Sequence, residues 1–124
     1  MSKHLPFDRA ERVAEEIRRI VAVACLADLM DPRLKGVSIT RVKVTRDLRI
    51  ARLFFHLAHG GDASQRNAAE DALKKATGYL KRELGRELSL KFLPTLEVFY
   101  DEAVDRLARI EELLTESKTH GPEE

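Results

Sequence analysis

Lys74-Lys75-Ala76-Thr77-Gly78-Tyr79-Leu80-Lys81-Arg82 is the stretch on which the fold turns. Apolar residues flank it at helical spacing, with Ala69, Ala72, Leu73 and Ala76 before it and Leu80, Leu84 and Leu88 after it. A glycine costs a helix interior about 1 kcal/mol relative to alanine. Two readings of Gly78 therefore stand open: a surface helix that tolerates a glycine, or a break between two helices. In the second, a new helix starts with unpartnered N–H groups and a partial positive charge. Lys74, Lys75, Lys81 and Arg82 crowd around that point, and cations beside exposed amides suit a phosphate.

Upstream, His59-Gly60-Gly61-Asp62 reads as a loop, and Asp62 or Ser64 can cap the helix that follows. Residues 50–57 alternate as a strand, with Ala51, Leu53, Phe55 and Leu57 on the apolar face and Ile50, Arg52, Phe54 and His56 opposite. Arg46-Asp47 supplies a turn into it from a strand at 37–45. That earlier strand is out of phase with itself, since Val37 and Ile39 point one way and Val42 and Val44 the other. A one-residue bulge at Thr40-Arg41 would reconcile them. Across the hairpin, Arg41 and Lys43 should meet Arg52 and Phe54. This face suits base stacking and phosphate pairing; a solvated sheet surface explains it equally simply, and the residues of this face alone favour the latter.

At the N-terminal end, Asp8-Arg9-Ala10-Glu11 reads as a helix opening with Asp8 as cap. Val13, Ile17, Ile20, Val21 and Ala24 follow on one face, and Asp31-Pro32 closes the segment. Downstream, residues 91–100 read as a third strand with Phe92, Leu96, Val98 and Tyr100 on one side and Pro94 near its start or on an edge. Val104, Leu107, Ile110 and Leu114 suggest a short C-terminal helix, with residues 115–124 as a flexible acidic tail. The order helix, strand, strand, broken helix, strand, helix gives an α+β two-layer domain: a three-stranded sheet with one face covered by helices. Residues 1–114 form the domain.

The chain of 124 residues has a formal charge of +1, which conceals a strong polarity. Residues 33–56 carry seven cations against Asp47, and residues 74–91 carry six against Glu83 and Glu87. From Glu97 onward, nine acids face Arg106, Arg109 and Lys118. A basic region that meets a polyanion and an acidic end that does not is the simplest reading. The alternative is a protein-interaction module that docks a basic partner through the acidic C-terminal helix. No apolar run approaches the ~20 residues of a spanning helix, and no signal peptide opens the chain, so no membrane association and a cytoplasmic location are expected. The single cysteine, Cys25, sits in an apolar helix as a packed thiol.

Catalytic motifs are absent from the sequence: there is no Gly-x-x-x-x-Gly-Lys-Ser/Thr loop, no Gly-x-Gly-x-x-Gly and no Gly-x-Ser-x-Gly. His56-x-x-His59 has no carboxylate nearby in sequence to complete a metal site. Glu15-Glu16 and Glu111-Glu112 diverge around their helices. Binding is what remains, with no enzyme activity, metal or cofactor expected.

Over nearly its whole length the chain resembles the ribosome-binding factor A family. The matching pieces occur in order: Arg12-Val13, Asp31-Pro32-Arg33-Leu34, Val42 through Thr45-Arg46-Asp47-Leu48, Ala76-Thr77-Gly78-Tyr79-Leu80, Leu84-Gly85, and Leu93-Pro94 through Phe99-Tyr100-Asp101. The resemblance implies a type II KH-like fold in which an Ala-x-Gly interhelical kink, here Ala76-Thr77-Gly78, replaces the usual Gly-x-x-Gly clamp. It also implies a non-enzymatic factor that binds the small (30S) ribosomal subunit and its 16S rRNA, acts in late maturation and rRNA processing, and supports growth in the cold. Implied partners are the subunit and its rRNA, together with other assembly factors such as a small-subunit GTPase; the factor itself is expected to be a monomer. Arg46 falls in the family's Ser/Thr-Arg-Asp-Leu turn and Lys81 follows the kink, so both are implied to face rRNA, with Arg12 a third. Residue by residue, the expected RNA-binding set is Arg12, Arg41, Lys43, Arg46, Arg49, Arg52, Lys74, Lys75, Ala76, Thr77, Gly78, Lys81, Arg82 and Arg86. Asp101-Glu102-Ala103 stands where many relatives have Asp-x-Ser, and the tail is shorter than in some of them.

Overall fold

Clean alternation over Ile50–Leu57 becomes the middle strand of the sheet, because a strand paired on both edges and covered on one face needs every second residue apolar. In the computed structural model, which describes residues 6–27, 31–58 and 61–120, the order is α1 (Pro6–Ala27), a 3-10 turn (Pro32–Leu34), β1 (Val37–Val44), β2 (Ile50–Leu57), α2 (Ala63–Lys75), α3 (Thr77–Glu87), β3 (Thr95–Tyr100) and α4 (Glu102–His120). The strands lie in the order β1-β2-β3. β1 is antiparallel to β2, and β3 is parallel to it. The α+β architecture read from the sequence is the one observed.

The bulge falls where the phase change requires it, between Ile39 and Arg41. One extra residue, Thr40, lets Val42 face Leu53 and Val44 face Ala51, so both halves of β1 serve one core. Ala51, Leu53, Phe55 and Leu57 are buried, as are Val13, Ile17, Val21 and Ala24 of α1. Ala69, Ala72 and Leu73 of α2 and Leu80 and Leu84 of α3 close the same cluster. Fully burying a Leu or Phe side chain contributes about 1.5–3 kcal/mol, which holds the helices on this face. Cys25 packs against the core, and burial pushes its thiol pKa up to about 11, leaving it protonated and inert.

Four sequence expectations need correction. α1 begins at Pro6, so Asp8 stands within the helix and not before it; proline's fixed φ suits a first helical position. α1 ends at Ala27, and Asp31-Pro32 instead starts the 3-10 turn, where Asp31 caps the Arg33 amide. The third strand begins at Thr95 and not at residue 91: Pro94 is buried just ahead of it and cannot donate to a ladder, and Phe92 is 77% exposed. Finally, α4 is not short. It runs to His120, because nothing breaks it before Gly121-Pro122, although its apolar periodicity stops at Leu114. Residues 115–120 are thus helical, and 121–124 lie outside the described residues.

Candidate nucleic-acid interface

The helix does break in the Ala-Thr-Gly stretch, but at Ala76. Ala76 closes α2 and opens α3 with φ −85° and ψ −3°. Its N–H reaches the carbonyls of both Ala72 and Leu73 at 3.0 Å. The Thr77 hydroxyl then donates to the Lys74 carbonyl at 2.9 Å. In a continuous helix that carbonyl would accept from the amide of residue 78, so the β-branched threonine competes for the bond that would carry the helix on. No side chain caps α3. The positive end of its helix dipole therefore stands at Thr77 and Gly78 without a capping side chain.

Gly78 lies in the first turn of α3 and has no positive φ. A Cβ built on it would meet nothing within 4 Å. Neither backbone conformation nor packing within the chain calls for glycine here. What glycine does provide is bare backbone that an outside group can approach closely. Gly78→Ala is therefore expected to stabilise the fold by roughly 0.5 kcal/mol, since alanine costs less in a helix. The same change is expected to weaken RNA binding. Thermal unfolding measured beside subunit affinity checks the pair of effects; higher stability with unchanged affinity would remove Gly78 from the contact surface.

The expected cations do not form one patch. Around the junction, Lys74, Lys75 and Arg82 are exposed and Lys81 is half-buried. Lys74 is held by Glu70 at 2.9 Å, one helical turn back, and this bond raises its pKa. Arg82 lies over the Tyr79 ring at 5.8 Å. Lys75 and Lys81 form no ion pair among the described residues. Lys74 and Thr77 also border a groove of about 460 Å³ against the β3 edge, lined further by Glu70, Glu97 and Phe99. Arg86, in the last turn of α3, is paired with Glu83 at 3.4 Å and stands apart from the junction.

The open sheet face is different, because its arginines are already engaged. Arg52 meets Glu97 at 3.1 Å, its direct partner across β2 and β3. Arg41 reaches Asp101 at 3.2 Å and lies 4.2 Å over the Phe54 ring. Phe54 stacks in turn on Phe99 at 5.5 Å. Phosphates and bases would have to displace these partners to bind this face. Lys43 is exposed there without an ion pair among the described residues. At the β1–β2 turn Arg46 and Arg49 are exposed, and Arg49 sits 3.9 Å from Asp47. Arg12 is exposed on α1.

Asp101 and Glu97 are the acidic partners of these arginines that local sequence pattern does not reveal. The signal was present in Glu97, which aligns with Arg52 once β3 is laid parallel to β2, but strand order is not printed in a sequence. His56 has also acquired a carboxylate from far along the chain: its Nε2 lies 2.8 Å from Asp105 Oδ1. Tyr100 Oη donates to the other oxygen of Asp105, also at 2.8 Å. The hydrogen bond with His56 is the main cause of the lowered Asp105 pKa. This cluster pins the start of α4. From Arg106 to Thr115 every residue is exposed, so this part of the helix projects from the domain. His59, the second histidine of His56-x-x-His59, lies outside the described residues.

Comparison with known proteins bears on this geometry. Ribosome-binding factor A is the family that matches, over residues 9–114. The ribosome-binding factor A of Geobacter sulfurreducens is 40% identical over 113 residues, covering 91% of this chain and 94% of that one. That of Sorangium cellulosum is 44% identical over 111 residues, covering 89% of each. Among solved structures, the crystal structure of ribosome-binding factor A from Thermus thermophilus superimposes with a TM-score of 0.66 at 23% identity, covering 76% of this chain and 97% of that one. Coordinates of the Thermus thermophilus factor fitted into a cryo-EM map of a 30S–RbfA complex give 0.61 at 24% identity, covering 75% and 96%. These structural likenesses show a shared fold.

Proposed function

The chain belongs to the ribosome-binding factor A family, and from that premise we propose that it is a non-catalytic assembly factor for the small ribosomal subunit. It binds the 30S subunit through 16S rRNA, promotes late maturation and rRNA processing, and serves growth in the cold. The observation that carries the RNA contact is the uncapped start of α3, ringed by Lys74, Lys75, Lys81 and Arg82. Contacts of this kind go to phosphates, so rRNA shape supplies most of the recognition. A cytoplasmic monomer that meets other assembly factors, a small-subunit GTPase among them, completes the proposal. The fitted Thermus thermophilus coordinates, described as a 30S complex, support the choice of subunit.

A second reading rests on α4. Leu107, Ile110, Leu113 and Leu114 are all more than half exposed, on a projecting helix that carries Glu111 and Glu112. That surface suits a basic protein partner. One experiment separates the two: co-sedimentation with small subunits across a salt series, for the full chain and for a chain ending after Arg106. This truncation keeps Asp105 and its bonds to His56 and Tyr100. RNA binding predicts retention that falls steeply with salt, because neutralised phosphates release counterions, and that survives the truncation. Retention that ignores salt and disappears with α4 would favour the protein-interaction module.

A further inference from the structure

At the opposite end of α3 from the junction lies a second cationic groove, of about 550 Å³. The β1–β2 turn, the loop between α3 and β3 and the start of α1 enclose it. Arg9, Arg49 and Lys91 bring three positive charges to it against one acid, Asp47. α3 has 11 residues, so about 16 Å of helix separates this groove from Ala76. A phosphate at the junction therefore does not reach it.

The aromatic residue at its rim is held out by its surroundings. Phe92 is 77% exposed, yet Pro94 is buried, and Leu90 and Leu93 pack against the core on either side. An anchored loop thus presents a bare ring to solvent, where an ordinary loop would turn it inward. Lys91 Nζ lies 5.7 Å from the ring centroid. On the facing turn, Leu48 has a φ of +61°, a backbone conformation that L side chains rarely adopt. Leu48 also packs against the core, which fixes the turn and places Arg49 at the groove.

We propose that this groove is a second RNA contact, which takes one unpaired base and its flanking phosphates. The base stacks on Phe92, and Arg9, Arg49 and Lys91 hold the phosphates on either side. An exposed ring among cations is the arrangement that binds single strands without sequence preference, since every base has a face to stack. Bases of a duplex are stacked on each other and cannot offer that face. The inference rests on the RNA-binding function proposed above and adds to it a preference for single-stranded segments.

The chain has no tryptophan, so Phe92→Trp installs a sole tryptophan at the rim, excited apart from Tyr79 and Tyr100 at long wavelength, where exposure allows the change without repacking. Titration of this full-length variant with a short single-stranded oligoadenylate is expected to quench its emission saturably. An RNA duplex of equal length should bind this site roughly tenfold more weakly, the scale of one lost base–aromatic stack. Adding Arg49→Ala and Lys91→Ala should weaken the quench, and Phe92→Ala should lower subunit affinity by roughly tenfold on the same grounds. Circular dichroism confirms that each variant is folded. An unquenched Phe92→Trp, together with a Phe92→Ala that binds subunits as tightly as the unaltered chain, would overturn the groove while leaving salt-sensitive subunit binding intact. Equal quenching by duplex would overturn it as well. So would emission that responds to whole subunits but not to free single strands, because the ring would then be meeting protein. If the unaltered chain binds neither subunits nor RNA, the parent reading fails and the groove fails with it.

Discussion

Replacing Lys74, Lys75, Lys81 and Arg82 together with alanine is expected to abolish co-sedimentation with small subunits while the domain stays folded. Each phosphate contact contributes about 0.7–0.9 to the slope of log affinity against log salt, so removing all four cations should flatten the slope by about 3. The loss at low salt should be on the order of a hundredfold or more. Stability should barely move. Three of the four side chains are exposed and the fourth is half-buried. Within the chain, the substitutions break the Lys74–Glu70 pair and the Arg82–Tyr79 stack. Exposed interactions of this kind contribute roughly 0–1 kcal/mol each, and alanine's helix propensity offsets part of that. Arg52→Ala is the matched control. Arg52 is already paired with Glu97, so its removal should leave affinity nearly unchanged, although a count of basic residues would rank it equally.

Asp101→Ala carries the largest expected effect on stability. Asp101 is 2% exposed. Its carboxylate accepts from the Thr40 hydroxyl at 2.5 Å, the Ala103 amide at 3.1 Å and Arg41 Nε at 3.2 Å. One residue thus ties the bulge of β1 to the end of β3 and to the first turn of α4. A hydrogen bond to a charged group contributes about 1.5–3 kcal/mol, and a lost helix cap costs about 1 kcal/mol. Arg41 keeps access to water, with 42% of its side chain exposed, so it is not left as a buried charge and the total falls short of a fully buried pair. A destabilisation of roughly 2–4 kcal/mol is expected, with a melting temperature lower by about 10 °C. Asp101→Asn should cost less, because its carbonyl still caps α4.

The pH dependence of this effect has a definite sign. Burial raises the Asp101 pKa, but Thr40, Arg41 and the Ala103 amide outweigh it and hold the group below its ordinary value of 3.8. The folded state therefore favours the ionised form. Its contribution is fully present above the unfolded pKa and is lost as pH falls through the lower folded value. The stability gap between the unaltered chain and Asp101→Ala should accordingly be constant at neutral pH and narrow below about pH 4. A gap that widened in acid would mean that the protonated form is the one held.

Ile50–Leu57 was legible in the sequence because a strand covered on one face imposes strict alternation, and the bulge was legible because β1 breaks that rule once. α1 was legible from its apolar stripe, though not where it starts, since helix beginnings depend on caps and on prolines that tolerate more than one register. The start of β3 was misplaced because Phe92 shares the alternation of Leu96, Val98 and Tyr100, while the missing N–H of Pro94 decides the matter. The cations were harder. Arg41, Arg52 and Lys81 look alike in a charge count, yet Asp101 and Glu97 engage the first two from 60 and 45 residues away. Such pairings follow from strand order, which local pattern does not reveal. Gly78 was legible as unusual, but its meaning changed. The break belongs to Ala76 and Thr77, and the glycine contributes open space beside an uncapped helix start.

Chemical footprinting of 16S rRNA in small subunits tests the role of that helix start most directly, comparing the unaltered chain with the Lys74, Lys75, Lys81 and Arg82 alanine variant at saturating protein. The unaltered chain should protect a discrete set of backbone positions, and the variant should leave those at the junction contact open to cleavage. An identical footprint from a folded variant would contradict the placement of rRNA at the start of α3.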